Sequence, residues 1–204
     1  EVNALWYNAL RIMADIAGRL SMSKEADLYQ RRAEKTKKSF QKVFWCEEAA
    51  YLYDWVDGKQ KDASLRPNQI LAVSLPYSVL TKPAEKQVLA VIERELLTPY
   101  GLRTLSPNDP RFQGVYRGGA DARDAAYHQG TVWAWLIGPY ADAVVKVNGI
   151  NPETIEKCSK ILLHFIDHLR QAGLGTVSEI FDGNPPFHPR GCVSQAWSVG
   201  EVLR

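Results

Sequence analysis

The sequence predicts an all-α chain, an array of helical hairpins whose long loops collect at one end. Two observations predict it. Apolar residues recur at helical spacing through about seven segments. Short turns alternate with long loops rich in glycine, proline and aromatic residues, as sequential antiparallel helix pairs require. In such an array the loops form a rim, and the rim makes the site. The 204 residues read as a single domain.

From Asn3 to Leu20 the positions Leu5, Ala9, Ile12, Ile16 and Leu20 keep helical spacing, with a second stripe at Trp6, Leu10, Met13 and Ala17. A helix apolar on two sides is expected to pack on two sides. Ser21 to Ser23 reads as a turn with Ser23 as N-cap. Lys24 to Phe44 is a more polar helix, with Leu28, Ala33, Phe40 and Phe44 inward. Tyr51 to Val56 alternates and ends at Asp57-Gly58, so it reads as a short strand or hairpin arm. Pro67 suits a first helical turn and leaves Arg66 extended, ahead of a helix reaching about Leu80. Pro83 starts the next helix, through Leu97.

Thr98 to Gln129 is a long, turn-rich connection whose aromatics (Tyr100, Phe112, Tyr116, Tyr127) argue for order. Helix returns from Thr131 to Val147, with Val132, Leu136, Tyr140 and Val144 on one line and a kink expected near Pro139. Pro152 to Ala172 is strongly periodic through Ile155, Cys158, Leu162, Phe165 and Leu169. A second glycine- and proline-rich loop runs from Gly173 to Gly191, and a last helix begins near Val193.

Composition excludes several classes. Lys and Arg total 25 and Asp and Glu 23, a net charge of +2, which gives no reason to expect nucleic acid or an anionic membrane as partner. The longest apolar stretch, Val132 to Val145, is broken by Gly138, Pro139 and Asp142 and is too short to span a bilayer. Cys46, Cys158 and Cys192 are sparse and far apart, which fits a reducing, cytoplasmic setting rather than a disulfide scaffold. No CxxC or HExxH is present, and no metal or cofactor is expected. The opening Glu1-Val-Asn-Ala-Leu-Trp already reads as helix, so the chain reads as a piece of a longer protein, cut on its N-terminal side.

Four loop-edge clusters gather polar and aromatic groups: Asn3 to Asn8, Ser64 to Gln69, Tyr127 to Trp135, and Ser178 to Trp197. Sugars need this mixture. Their hydroxyls take hydrogen bonds from Arg, Asn, Gln and carboxylates, and their C–H faces rest on aromatic rings. Nucleic-acid stacking would come with a basic groove, which +2 does not supply.

Glu179, in the glycine-bounded loop Gly173 to Gly183, is the sharpest candidate. It could hold and deprotonate a water as general base, or it could only brace the loop by bonding backbone N–H groups or Arg190. His128 and Gln129 could bind sugar hydroxyls or cap a helix. Arg66 could clamp a hydroxyl or form a surface ion pair. Trp133, Trp135 and Trp197 could be core or stacking platform. Asp121, Arg123 and Asp124 read as a local charge network. His164 and His168, spaced i, i+4, lack a third metal ligand and read as a helix-surface pair. Cys192 has no histidine base beside it.

Six motifs stand in order: NALWYNAL, S-x-RPNQ, ELLTPYGLRTLSPNDPRFQGVY, AYHQGTVWAWLIGPY, GLGTVSEIFDG and PRGCVSQAWSVGEVLR. With them the chain resembles, nearly end to end, the C-terminal catalytic domain of glycogen debranching enzymes of the amylo-α-1,6-glucosidase type. The resemblance implies an (α/α)6 toroid, the glucoamylase-like barrel, here partial. It implies inverting hydrolysis of α-1,6-linked glucose at branch points of glycogen or limit dextrin. It makes Glu179 the general base and sets Trp6, Arg66, Asn68, His128, Gln129, Trp133, Gln195 and Trp197 near the glucose, with Gln69 beside them in the RPNQ motif.

Two departures stand out. The family's general acid is an Asp in a Thr-Trp-Met-Asp stretch, expected upstream and absent from this chain. The family commonly has Trp-Pro-Trp where this chain has Ala134 between Trp133 and Trp135. An inverting glycosidase needs two carboxyls about 6.5–9.5 Å apart. The missing Asp would have a raised pKa and Glu179 a lowered one. The piece alone is therefore expected to be inactive, with apolar helix faces lacking partners. Two other readings use the same residues: a non-catalytic carbohydrate-binding module, and another α/α-toroid sugar enzyme such as a trehalase-like hydrolase or an epimerase.

Overall fold

The computed structural model describes residues 1–172 and 174–204. Gly173, the first residue of the second long loop, lies outside the described residues. Helix α1 (Val2–Arg19) and helix α2 (Ser23–Phe44) form a hairpin across a tight turn. Ser23 is the first residue of α2, and the helix start carries no side-chain cap, contrary to its expected N-cap role. The inward face of α1 is Ala4, Tyr7, Leu10, Ala14 and Ala17. Leu5, Ile12, Ile16 and Leu20 of the first stripe are exposed, as are Trp6 and Met13 of the second, so the expected packing on two sides is not seen. The helix is apolar on two sides, and among the described residues only one side has a partner. Asn8 locks that side. Its amide donates to the Tyr77 carbonyl at 2.6 Å, and its Oδ1 accepts from the Tyr77 N–H at 2.9 Å.

The alternating stretch after α2 is two small hairpins rather than one arm. Strand β1 (Trp45–Cys46) pairs with β2 (Tyr51–Leu52), and β3 (Trp55–Asp57) pairs with β4 (Gln60–Asp62). Arg66 is extended at φ −121°, ψ 156°, and Pro67 opens a 3-10 turn that leads into α3 (Leu71–Ser74). That helix stops well short of Leu80, because Leu75 turns extended ahead of Pro76, as the residue before a proline prefers. Helix α4 (Lys82–Glu95) starts one residue before Pro83 and is capped by the Thr81 hydroxyl.

Most of the structure is helical, as expected, but the centre carries a small sheet that the all-α reading did not contain. Strands β5 (Leu97–Thr98) and β6 (Gly101–Arg103) follow α4, and helix α5 (Ala120–Tyr127) lies inside the stretch read as loop. Strand β7 (Val132–Trp133) precedes α6 (Ile137–Asn148), and α7 (Pro152–Gln171) comes next. Strands β8 (Ile180–Phe181) and β9 (Pro189–Arg190) lead to α8 (Ala196–Leu203), which begins three residues after Val193. Strands β5 to β9 form a five-stranded antiparallel sheet in chain order. Residues read as helix from Thr131 are thus strand, then a short 3-10 turn. Pro139 sits harmlessly in the first turn of α6 instead of kinking it.

The core gathers where this sheet meets α3, α4 and α6. Ile70, Val73, Val88, Ile92, Leu102, Val132, Tyr140, Val144, Ile180 and Phe181 are all completely buried there. Gly101, at φ +141°, lets β6 approach β7: a Cβ there would lie 2.4 Å from the Trp133 carbonyl oxygen. On α7, Phe165 is buried, but Ile155, Leu162 and Leu169 are exposed rather than inward. His168 is fully buried, which overturns its reading as a surface residue.

Candidate active site

Glu179 lies immediately before β8, and its N–H donates to the Cys192 carbonyl at 3.0 Å, one residue off the β8–β9 register. Its carboxylate has fixed partners. Oε1 accepts from the Tyr127 hydroxyl at 2.6 Å and from Gln195 Nε2 at 3.4 Å, and Oε2 accepts from the Cys192 N–H at 2.9 Å. Burial pushes the carboxyl up, but these hydrogen bonds together outweigh it and hold it below its ordinary value. The group is therefore an anion at neutral pH. Arg190 does not brace it; that guanidinium pairs with buried Asp182 at 2.9 Å.

Tyr127, the last residue of α5, has its own phenol pushed up, first by burial and then by Glu179, so it stays a donor. The rings continue from there. His128 stacks on Trp133 with centroids 5.3 Å apart and 11° between planes, and Tyr127 meets Trp133 edge-on at 5.0 Å. Trp133 meets Trp197 at 5.8 Å, and Trp197 stacks against Trp135 at 5.9 Å. Trp133 is 7% exposed and Trp197 is 50% exposed. Trp133 is thus the wall and Trp197 the open face. Burial, then the nearby Arg66 charge, lowers the His128 pKa, so the imidazole is neutral at pH 7.

Arg66 ties this cluster to the β3–β4 hairpin. It donates to the carbonyls of Thr104 (3.1 Å) and His128 (2.7 Å) and to Gln129 Oε1 (2.9 Å), and its Nε lies 3.4 Å from Asp54. The extended Arg66 backbone before Pro67 aims the side chain there. Arg66 is therefore an internal clamp, not a surface ion pair, and it occupies the Gln129 carbonyl. Behind Arg66 and His128 lies a polar cavity of about 390 Å3.

The whole chain, residues 1–204, matches the family model for amylo-alpha-1,6-glucosidase. This chain belongs to the amylo-alpha-1,6-glucosidase family. It is 32% identical over 89 residues to the glycogen debranching enzyme of Saccharomyces cerevisiae, a match covering 41% of this chain and 6% of that protein. Its fold is similar to that of the neutral trehalase of Saccharomyces cerevisiae (TM-score 0.70, 15% identity, 98% of this chain and 36% of that one). It is also similar to that of a protein described as a sialidase (TM-score 0.75, 13% identity, 99% and 19%). The chain thus spans only a small part of the curated relative it matches, and less than half of either solved structure.

In this family member, Glu179, His128, Trp133, Gln195 and Trp197 come together. Arg66 and Gln129 border them, and among the described residues the Asn68 side chain reaches Asp54 alone, at 3.5 Å. Gln69 is buried and committed to backbone, accepting from the Leu52 N–H and donating to the Arg66 carbonyl. Trp6 is 53% exposed on α1, and among the described residues no aromatic contact joins it to the Trp133–Trp197 cluster. Sequence reasoning missed Tyr127 and Gly191 as partners of Glu179, and Asp54 as a partner of Arg66. Tyr127 stood inside a named cluster, but nothing local signals a bond across 52 residues. Among the described residues no group of three or more His, Cys, Asp or Glu side chains is placed to hold a metal ion, and no helix is long and apolar enough to cross a membrane.

Proposed function

We propose that this chain carries the base side of an inverting glycosidase site that cleaves α-1,6-linked glucose from branch points of glycogen or limit dextrin. The observation that carries the reading is the Glu179 carboxylate, an anion oriented by Tyr127, Gln195 and the Cys192 N–H beside a wall of stacked rings. Family membership and the yeast debranching relative support the substrate class.

In this reading the sugar rests against the open Trp197 ring with Trp133 packed behind it, and neutral His128 and the Arg66-held loop face its hydroxyls. Glu179 takes a proton from a water as the water oxygen attacks the anomeric carbon. The bond to the O6 of the branch residue breaks, and that oxygen takes its proton from a carboxylic acid on a segment outside this chain. The helices then form an arc of an (α/α)6 toroid. The exposed apolar residues Leu5, Ile12 and Ile16 on α1 and Leu162, Leu163 and Ile166 on α7 are consistent with further helices packing there. A cytoplasmic setting belongs to the same proposal. The trehalase-like alternative has only a fold likeness at 15% identity behind it.

The test is product analysis with the full-length protein that contains this chain. Limit dextrin is supplied, and the first-formed sugar is followed by proton NMR. Free β-glucose appearing first supports the reading. α-Glucose first, or no free glucose, overturns it.

A further inference from the structure

The cavity behind Arg66 holds two side chains that the proposed hydrolysis does not use, Asp54 and Trp55. Strand β3 begins at Trp55, and the Asp54 N–H donates to the Asp62 carbonyl at 2.8 Å, which pins the base of the β3–β4 hairpin. Asp54 therefore has a fixed position at the cavity wall, with Arg66, Asn68, Arg111 and His128 around the same space. A second hollow of about 260 Å3 shares Asp54, Trp55, Arg66 and Asn68 with it.

Both partners of Asp54 are loose. Arg66 Nε is 3.4 Å from Oδ2, and Asn68 Nδ2 is 3.5 Å from Oδ1, the outer limit of a hydrogen bond. A carboxylate has about four acceptor positions, so most of the capacity of Asp54 is unused. Burial pushes its pKa up more than Arg66 pulls it down, which marks a carboxylate short of compensation. Trp55 is 46% exposed at the mouth of both hollows. A large ring left open beside underused acceptors, in a volume at the lower end of small-molecule sites, suits a neutral polyhydroxyl ligand. The space borders the Glu179 site through His128, which lines it and stacks on Trp133.

We propose that Asp54 and Trp55 form a second sugar subsite, which holds a glucosyl unit of the glucan chain against the Trp55 ring while its hydroxyls donate to Asp54. The inference rests on the proposed glycosidase reading and names where the substrate extends beyond the reacting glucose. Arg66, held by Thr104, His128 and Gln129, keeps this subsite and the Glu179 site in one register.

The test uses the full-length protein carrying Glu179→Gln, so that the probe is not consumed, with maltotriose binding read by calorimetry. Asp54→Asn and Trp55→Ala are each expected to weaken binding about tenfold, the loss of roughly one good stacking or charge-assisted contact. Trp55→Phe, which keeps a ring, should lose less than about threefold, so a folding defect in the alanine variant does not decide the matter. Binding within twofold of the parent in both Asp54→Asn and Trp55→Ala overturns the subsite. The NMR product test above separates the two ideas. β-Glucose formed first with unchanged binding in these variants removes the subsite and leaves the glycosidase, whereas no glucose at all removes the reading on which both stand.

Discussion

Gly191, the residue after β9, faces the Glu179 side chain so closely that a Cβ there would stand 2.3 Å from Glu179 Oε2. Gly191 also holds φ +68°, a conformation that L side chains adopt at a cost. The carboxylate and the missing side chain share one space, and a side chain at either the wrong position or the wrong φ displaces the other.

Gly191→Ala is therefore expected to move the Glu179 carboxylate and to strain the turn by about 1–3 kcal/mol. Glucose release from limit dextrin by the full-length protein should fall about tenfold or more, with a lowered Tm. A variant with normal kcat would show that Oε2 need not be held where it stands.

Tyr127 gives Glu179 its shortest hydrogen bond, and that bond is the largest of those holding the carboxyl down against burial. Tyr127→Phe removes the bond and leaves the burial. The Glu179 pKa should rise, and the acid limb of kcat/KM should move up by about one pH unit, the loss of a hydrogen bond to a charged group. A purely structural tyrosine would lower activity without moving that limb.

His168 acts one residue upstream. Its Nε2 accepts the Ser178 N–H at 3.1 Å, which requires a neutral ring, and burial lowers its pKa from 6.5. In the unfolded chain the ring takes its proton nearer pH 6.5, so below that pH the unfolded state binds more protons than the folded one. Stability should then fall as pH drops from 6.5 toward the folded value. His168→Gln offers Ser178 an amide oxygen that does not titrate, and Tm should fall less steeply on acidification below 6.5. Equal slopes in the two proteins would contradict this role.

Legibility followed the length of the signal. The long helices were readable because each carries four or more turns of pattern, as at Pro152–Gln171. The central sheet was not readable, because strands of two or three residues show no period. Its inner strands β7 and β8 are buried on both faces, so Val132, Trp133, Ile180 and Phe181 read like any apolar run. Which apolar stripe of α1 faces inward was likewise undecided by a helix apolar on two sides, and Tyr7 with Asn8 won over Leu5 with Ile12. At the site, Glu179, His128, Trp133, Gln195 and Trp197 stood out because loop-borne polar and aromatic clusters mark binding. Tyr127 and Asp54 did not, since their meaning lies in partners 52 and 12 residues away. His168 misled because i, i+4 spacing says nothing about which face a helix buries.

The most direct measurement is the turnover of Glu179→Gln on limit dextrin in the full-length protein. The amide keeps the size of the side chain; with its oxygen accepting from the Cys192 N–H, its NH2 faces the Tyr127 hydroxyl oxygen as a donor, and it cannot take a proton from water. A fall in kcat of about 10²–10⁴-fold, with substrate binding retained, is the expected result. Turnover within a few-fold of the parent would contradict Glu179 as the base.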